Sequence, residues 1–165
     1  MNGEYAALAA RLRASLSDLE RVIARAETLS RRAQTTGDDG FWDGVALNLH
    51  GFYAGIEQIF EDIARTLEGS LPPGAAWPQA LLLQMSSEVP GVRPAVVSSA
   101  TRHCLDDYRS FRHIVRNVYT FNLRPARLNE LVTGLRACQA ALTEDLTAFA
   151  AFLDRMAQAP DEPGA

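Results

Sequence analysis

Between Tyr108 and Tyr119 the chain places Arg109, Arg112, Arg116, His113 and Asn117 within little more than three helical turns, in an acidic chain that contains no lysine. Arginine carries a permanent charge on a planar fork that matches phosphate oxygens, and tyrosine adds a hydroxyl that can bind or be modified. At 100° per residue, Arg116 lies about 40°, Tyr119 about 20° and Arg109 about 60° from Arg112. One helix face therefore offers guanidinium groups and a phenol to a single ligand, and a phosphodiester or nucleotide phosphate is the natural complement. His113 follows Arg112 directly, about 100° round the helix, and histidine titrates near neutrality. The plainer reading is that these arginines pair with acidic neighbours, such as a helix bearing Glu57, Glu61 and Asp62.

Apolar spacing says what must position them. Leu8, Leu12, Leu16, Leu19, Val22, Ile23, Ala26 and Leu29 recur at helical steps, predicting a long amphipathic helix from Tyr5 to about Gln34. The cluster Thr35-Thr36-Gly37-Asp38-Asp39-Gly40 ends it, and a second helix runs from Phe41 through Phe52, Ile56, Ile59, Phe60 and Ile63 to Leu67. A short helix spans Trp77 to Met85, with Trp77 an anchor to the core; Pro90, Gly91 and Pro94 then break the chain. The third long helix is predicted over Val96 to Asn122, with Cys104, Tyr108, Phe111, Val115 and Val118 as its buried stripe and the arginines facing outward. Arg124-Pro125 forms a joint, proline suiting the start of a fourth long helix that reaches about Met156. The expected architecture is all-α: an up-and-down bundle of four long helices plus one short one, a single domain over residues 1–158 with a flexible tail at 159–165.

At 165 residues, 47% hydrophobic and formal charge −4, the chain is long enough for one soluble domain with a real core and too apolar for disorder. An acidic balance argues against a protein that coats nucleic acid nonspecifically. Yet six of the sixteen arginines fall between Arg102 and Arg127, against Asp106 and Asp107 alone, so that stretch is locally basic. Cys104 and Cys138 are too few for a disulfide framework or a cysteine-rich zinc site, and both are expected as small buried residues. Asp38-Asp39 and Asp106-Asp107 lack the convergent partners of an oxygen-ligand metal site; the first pair should be exposed and the second should pair with Arg102 or Arg109. His50 and His103 are expected to pack between helices. No metal or cofactor is expected. The first residues carry Glu4 and Arg11 without a sustained apolar run, so neither a secretory signal nor a membrane-spanning helix is expected, and the address should be cytoplasmic.

The segment Phe111-Arg112-His113, with Arg116 and Tyr119, resembles the HEPN superfamily and in particular its HepT-like branch, whose members carry an R-x4-H-x-Y signature. The stretch Leu49 to Glu61 resembles that family's second helix. Trp77, Leu82 to Met85 and Gly91 to Pro94 resemble its connecting region, so the likeness covers roughly Val45 to Leu131. The resemblance implies a metal-independent endoribonuclease toxin of a toxin–antitoxin module, acting on RNA such as tRNA or mRNA. It implies a homodimer whose two signature faces form one cleft, and a minimal nucleotidyltransferase antitoxin that adenylylates the signature tyrosine, here Tyr119. Its catalytic set maps onto Arg112, Asn117 and Tyr119, with Arg109, His113 and Arg116 as phosphate ligands.

Here Asn117 stands where the family has histidine. Metal-free ribonuclease chemistry needs a group that takes the 2′-hydroxyl proton and positive charge on the transition state, and asparagine does not titrate. Three readings follow: an endoribonuclease that works without the signature histidine, a catalytically silent module that binds RNA or nucleotide or serves the nucleotidyltransferase as partner and substrate, and a helical dimer that scaffolds other proteins.

Overall fold

A computed structural model describes residues 2–117 and 122–160, the side chains of 116 and 117 excepted. Five helices follow one another: α1 (Asn2–Thr36), α2 (Gly40–Glu68), α3 (Trp77–Met85), α4 (Ser99–Asn117) and α5 (Pro125–Gln158). The fold is the all-α bundle that the periodicity predicts, and among the described residues the one strand-like pairing is an isolated bridge between Val89 and Arg93.

Three long helices make the frame. α1 packs along both α2 and α5, burying Leu8, Leu12, Leu19, Ile23, Ala26 and Leu29 against Phe52, Ile56, Phe60 and Ile63 of α2 and Leu135, Leu142, Leu146 and Leu153 of α5. Burial of this apolar stripe holds long helices that propensity alone would leave marginal. Gly44 and Gly55 let α1 approach α2 closely, since a Cβ at Gly44 would come within 2.8 Å of Leu29 Cδ1. Arg136 of α5 reaches Glu20 and Glu27 of α1, and Arg13 of α1 reaches Asp154, so charges flank the apolar seam.

The ends follow local chemistry. Gly37 leaves α1 in the left-handed conformation (φ 68°), and the Asp38 carboxylate accepts the Gly40 amide at 2.9 Å as α2 begins. Gly69 (φ 73°) ends α2, and Pro125 opens α5.

α4 lies against α2 and α5, with α3 packed on both α2 and α4. It begins at Ser99 rather than the expected Val96, because the Val96 and Val97 amides donate to the Met85 carbonyl at the end of α3 (2.8 and 3.2 Å). Ser98 caps the helix, its Oγ accepting the Thr101 amide, while its own amide donates to Asp145 of α5. The buried face is Leu105, Tyr108 and Phe111, with Cys104 and Val115 half-buried; Val118 lies outside the described residues. Of the expected tail, Ala159 caps α5 with its amide on the Arg155 carbonyl and Pro160 follows; the rest lies outside the described residues.

The cysteines correct the sequence reading. Cys104 and Cys138 form a disulfide between α4 and α5, with Cα atoms 5.8 Å apart. Their 34-residue separation in sequence says nothing of that proximity, which the packing of α5 beside α4 creates.

Candidate functional site

Where α4 meets α2, a cleft of about 270 Å³ opens, walled by Tyr53 and Glu57 of α2, Arg109, Arg112 and His113 of α4, and Ala75, Ala76, Pro78 and Gln79 at the start of α3. Three of the candidate residues thus converge. Tyr53 and Glu57 are one helical turn apart on α2, so both point to the same face. His113 is exposed and lines the cleft.

Arg112 is not free on an outward face. Its Nη1 donates to Glu57 Oε1, and the two side chains keep only 12% and 5% of their exposure. A carboxylate within the apolar stripe Phe52, Tyr53, Ile56, Ile59 and Phe60 needs such a partner, because burying it alone would cost several kcal/mol. The pairing reading therefore holds for Glu57. Glu61 and Asp62 instead meet Arg65 and Arg11. Arg109 bonds Asp106 at 2.7 Å, as one reading of the Asp106-Asp107 pair expects. Each cleft arginine is thus matched by a carboxylate, and the cleft is polar and charge-balanced rather than strongly basic.

Comparison with Arg93 separates structural from available charge. Arg93 is buried and bonds Glu68 (2.5 Å), the Ser87 and Pro94 carbonyls (2.9 and 3.0 Å) and the Gln84 carbonyl (3.2 Å), which pins the loop after α3 to the end of α2. Every nitrogen of that guanidinium is used. Arg112, by contrast, has a buried Nε with no partner among the described residues, and so has the second carboxylate oxygen of Glu57. The Glu57–Arg112 pair is therefore less fully bonded than the Arg93 network.

Burial raises the Tyr53 phenol well above its ordinary range, and the Glu57 carboxylate adds to the shift while Arg109 and Arg112 oppose it. The phenol stays protonated across physiological pH and acts as a hydrogen-bonding hydroxyl, not a base. His103 is exposed, its Nδ1 donating to the Ser99 carbonyl one turn back, so it braces its own helix instead of packing between helices. Trp77 packs partly buried against the core, as an anchor does. Asp38 and Asp39 are exposed. Among the described residues no group of three or more His, Cys, Asp or Glu side chains gathers as a metal site, and no helix is long and apolar enough to cross a membrane.

Arg116 and Asn117 continue α4, but their side chains and the whole of Tyr119 lie outside the described residues. Sequence reasoning placed Arg109, Arg112 and His113 together and missed Tyr53 as a wall beside them. The signal was present in Glu57, an acid inside an apolar stripe.

A family model described as HepT-like protein matches residues 44–153, two thirds of the chain. The chain belongs to the HepT-like family of the HEPN superfamily. The match takes in α3, α4 and most of α2 and α5, and so every described wall of the cleft, while α1 precedes it. No curated protein and no solved structure matches the chain.

Proposed function

We propose that this HepT-like protein is the toxin-type member of a toxin–antitoxin module and cleaves RNA without a metal, using the cleft between α2 and α4. The observation that carries this reading is the convergence of Arg109, Arg112 and His113 with the Glu57–Arg112 pair in one cleft. His113 takes the place of the signature histidine that Asn117 replaces. Its imidazole removes the proton from the RNA 2′-hydroxyl as that oxygen attacks phosphorus. The 5′-oxygen leaves and a 2′,3′-cyclic phosphate remains. Arg112 and Arg109 stabilise the charge that grows on the phosphoryl oxygens, Glu57 holds Arg112 in place, and the Tyr53 hydroxyl donates a hydrogen bond.

The same reading assigns Asn117 to orienting the substrate and Arg116 to a neighbouring phosphate. Tyr119 is a substrate contact and the residue that a nucleotidyltransferase antitoxin adenylylates, placing negative charge among the arginines. The protein acts in the cytoplasm as a homodimer whose two clefts meet, and the second protomer supplies the proton for the leaving oxygen.

Purified protein incubated with labelled tRNA in EDTA tests the proposal. Cleavage that falls at least about 100-fold in both Arg112→Ala and His113→Ala, each shown to be folded, supports it. No cleavage by the wild type with activity appearing in Asn117→His favours the second reading, a silent module on an intact scaffold, which the charge compensation of Arg112 by Glu57 also suits.

A further inference from the structure

α4 carries the cleft arginines and, among the described residues, buries fewer large apolar side chains than α2. Its fully buried apolar side chains are Leu105, Tyr108 and Phe111, whereas α2 alone buries Phe52, Tyr53, Ile56, Ile59, Phe60 and Ile63. On the α5 side it is held by the Tyr108 hydroxyl on the Leu131 carbonyl (2.7 Å), by the Ser98 amide on Asp145, and by the Cys104–Cys138 bridge. We propose that this disulfide is a redox-operated tether: oxidised, it fixes α4 and the cleft; reduced, it lets the C-terminal half of α4 loosen.

The topology gives the bridge that leverage. The loop it closes runs from 104 to 138 and contains Arg109, Arg112 and His113 together with the α4–α5 joint, so opening it returns conformational freedom to the segment that forms the cleft wall. The chemistry is ordinary exchange with a small thiol such as glutathione. Cys104 is half-buried and Cys138 buried, so the incoming thiolate attacks the Cys104 sulfur and Cys138 leaves as thiolate. A second thiol resolves the mixed disulfide, leaving two protein thiols and one molecule of glutathione disulfide. The reverse reaction restores the tether. Nothing in this inference requires the cleft to cleave RNA.

Hydrogen–deuterium exchange of the full chain, oxidised with glutathione disulfide or reduced with dithiothreitol, tests it. The expected result is exchange roughly tenfold faster in peptides from 105–117 after reduction, with peptides from α1 unchanged and the melting temperature lower by about 10 °C. A Cys104→Ser/Cys138→Ser variant should behave as the reduced protein and ignore reductant. Equal exchange of α4 in the two states, two thiols that glutathione disulfide cannot oxidise, or an unchanged response to reductant in the serine variant would each overturn the proposal. If that variant does not fold, the two states of the wild type decide alone.

Discussion

Glu57 on α2 holds Arg112 on α4 in an ion pair whose side chains are almost wholly withdrawn from water, and both line the cleft. The relationship ties site to stability, because an arginine that lines the cleft is also the counter-ion of a buried acid. A ligand that drew Arg112 away from Glu57 would have to leave the acid neutralised by another route.

Glu57→Gln keeps the shape and removes the charge, leaving Arg112 uncompensated; Arg112→Ala strands the carboxylate. Each should cost about 3 kcal/mol in urea unfolding. The double variant Glu57→Gln/Arg112→Ala should cost less than the two singles together by about 1–3 kcal/mol, the sign of direct coupling. Strictly additive losses would mean that the pair is not formed in solution. Any loss of cleavage in Arg112→Ala must be read beside its unfolding curve.

Much of the bundle was legible in sequence because helices are written locally. The 3.6-residue period and the punctuation at Gly37, Gly69 and Pro125 place α2 and α5 within about two residues of the observed ends, and the short helix at Trp77–Met85. The start of α4 was misplaced by three residues because the amides of Val96 and Val97 bond a carbonyl in another helix, a preference no local pattern carries. The same division runs through the site. Arg109, Arg112 and His113 share a helix and were readable together; Tyr53, the wall at Ala75–Gln79 and the Cys104–Cys138 bridge depend on which helices pack side by side.

Gly44 and Gly51 lie two turns apart on α2 and should respond oppositely to alanine. At Gly51 an added Cβ meets nothing within 4 Å, so helix propensity alone acts and Gly51→Ala should stabilise by about 0.5–1 kcal/mol. At Gly44 the Cβ would come within 2.8 Å of Leu29 Cδ1, and Gly44→Ala should lose about 1 kcal/mol net as overpacking outweighs propensity. Paired thermal melts check the contrast, and equal shifts would mean that α1 and α2 are not so closely packed.

Arg93→Lys keeps the charge and loses the fork. One ammonium cannot reach Glu68 and the carbonyls of Gln84, Ser87 and Pro94 at once, so buried acceptors are left unsatisfied and stability should fall by about 2–4 kcal/mol. Because those partners fix the loop after α3, early proteolysis should appear near Ser87–Pro94 in the variant. A variant as stable and protease-resistant as the wild type would show that the network contributes little.

Alkaline pH should destabilise the fold through its buried phenols. Tyr108 is pushed up to about 12, by burial first and by Asp107 second, with Arg127 opposing; burial raises Tyr53 as well. The unfolded chain releases tyrosine protons from about pH 10, whereas the native state keeps the Tyr108 proton until about 12. Across that window the unfolded state binds fewer protons, so stability falls as pH rises; below about pH 10 both states are protonated and this contribution is intact. Tyr108→Phe removes one of the two phenols and also the 2.7 Å bond to the Leu131 carbonyl, at a cost near 1 kcal/mol at neutral pH. Urea midpoints measured from pH 8 to 11 should therefore start lower for the variant and decline less steeply above pH 10. Parallel declines would place the Tyr108 hydroxyl in water, detached from the carbonyl that ties α4 to α5.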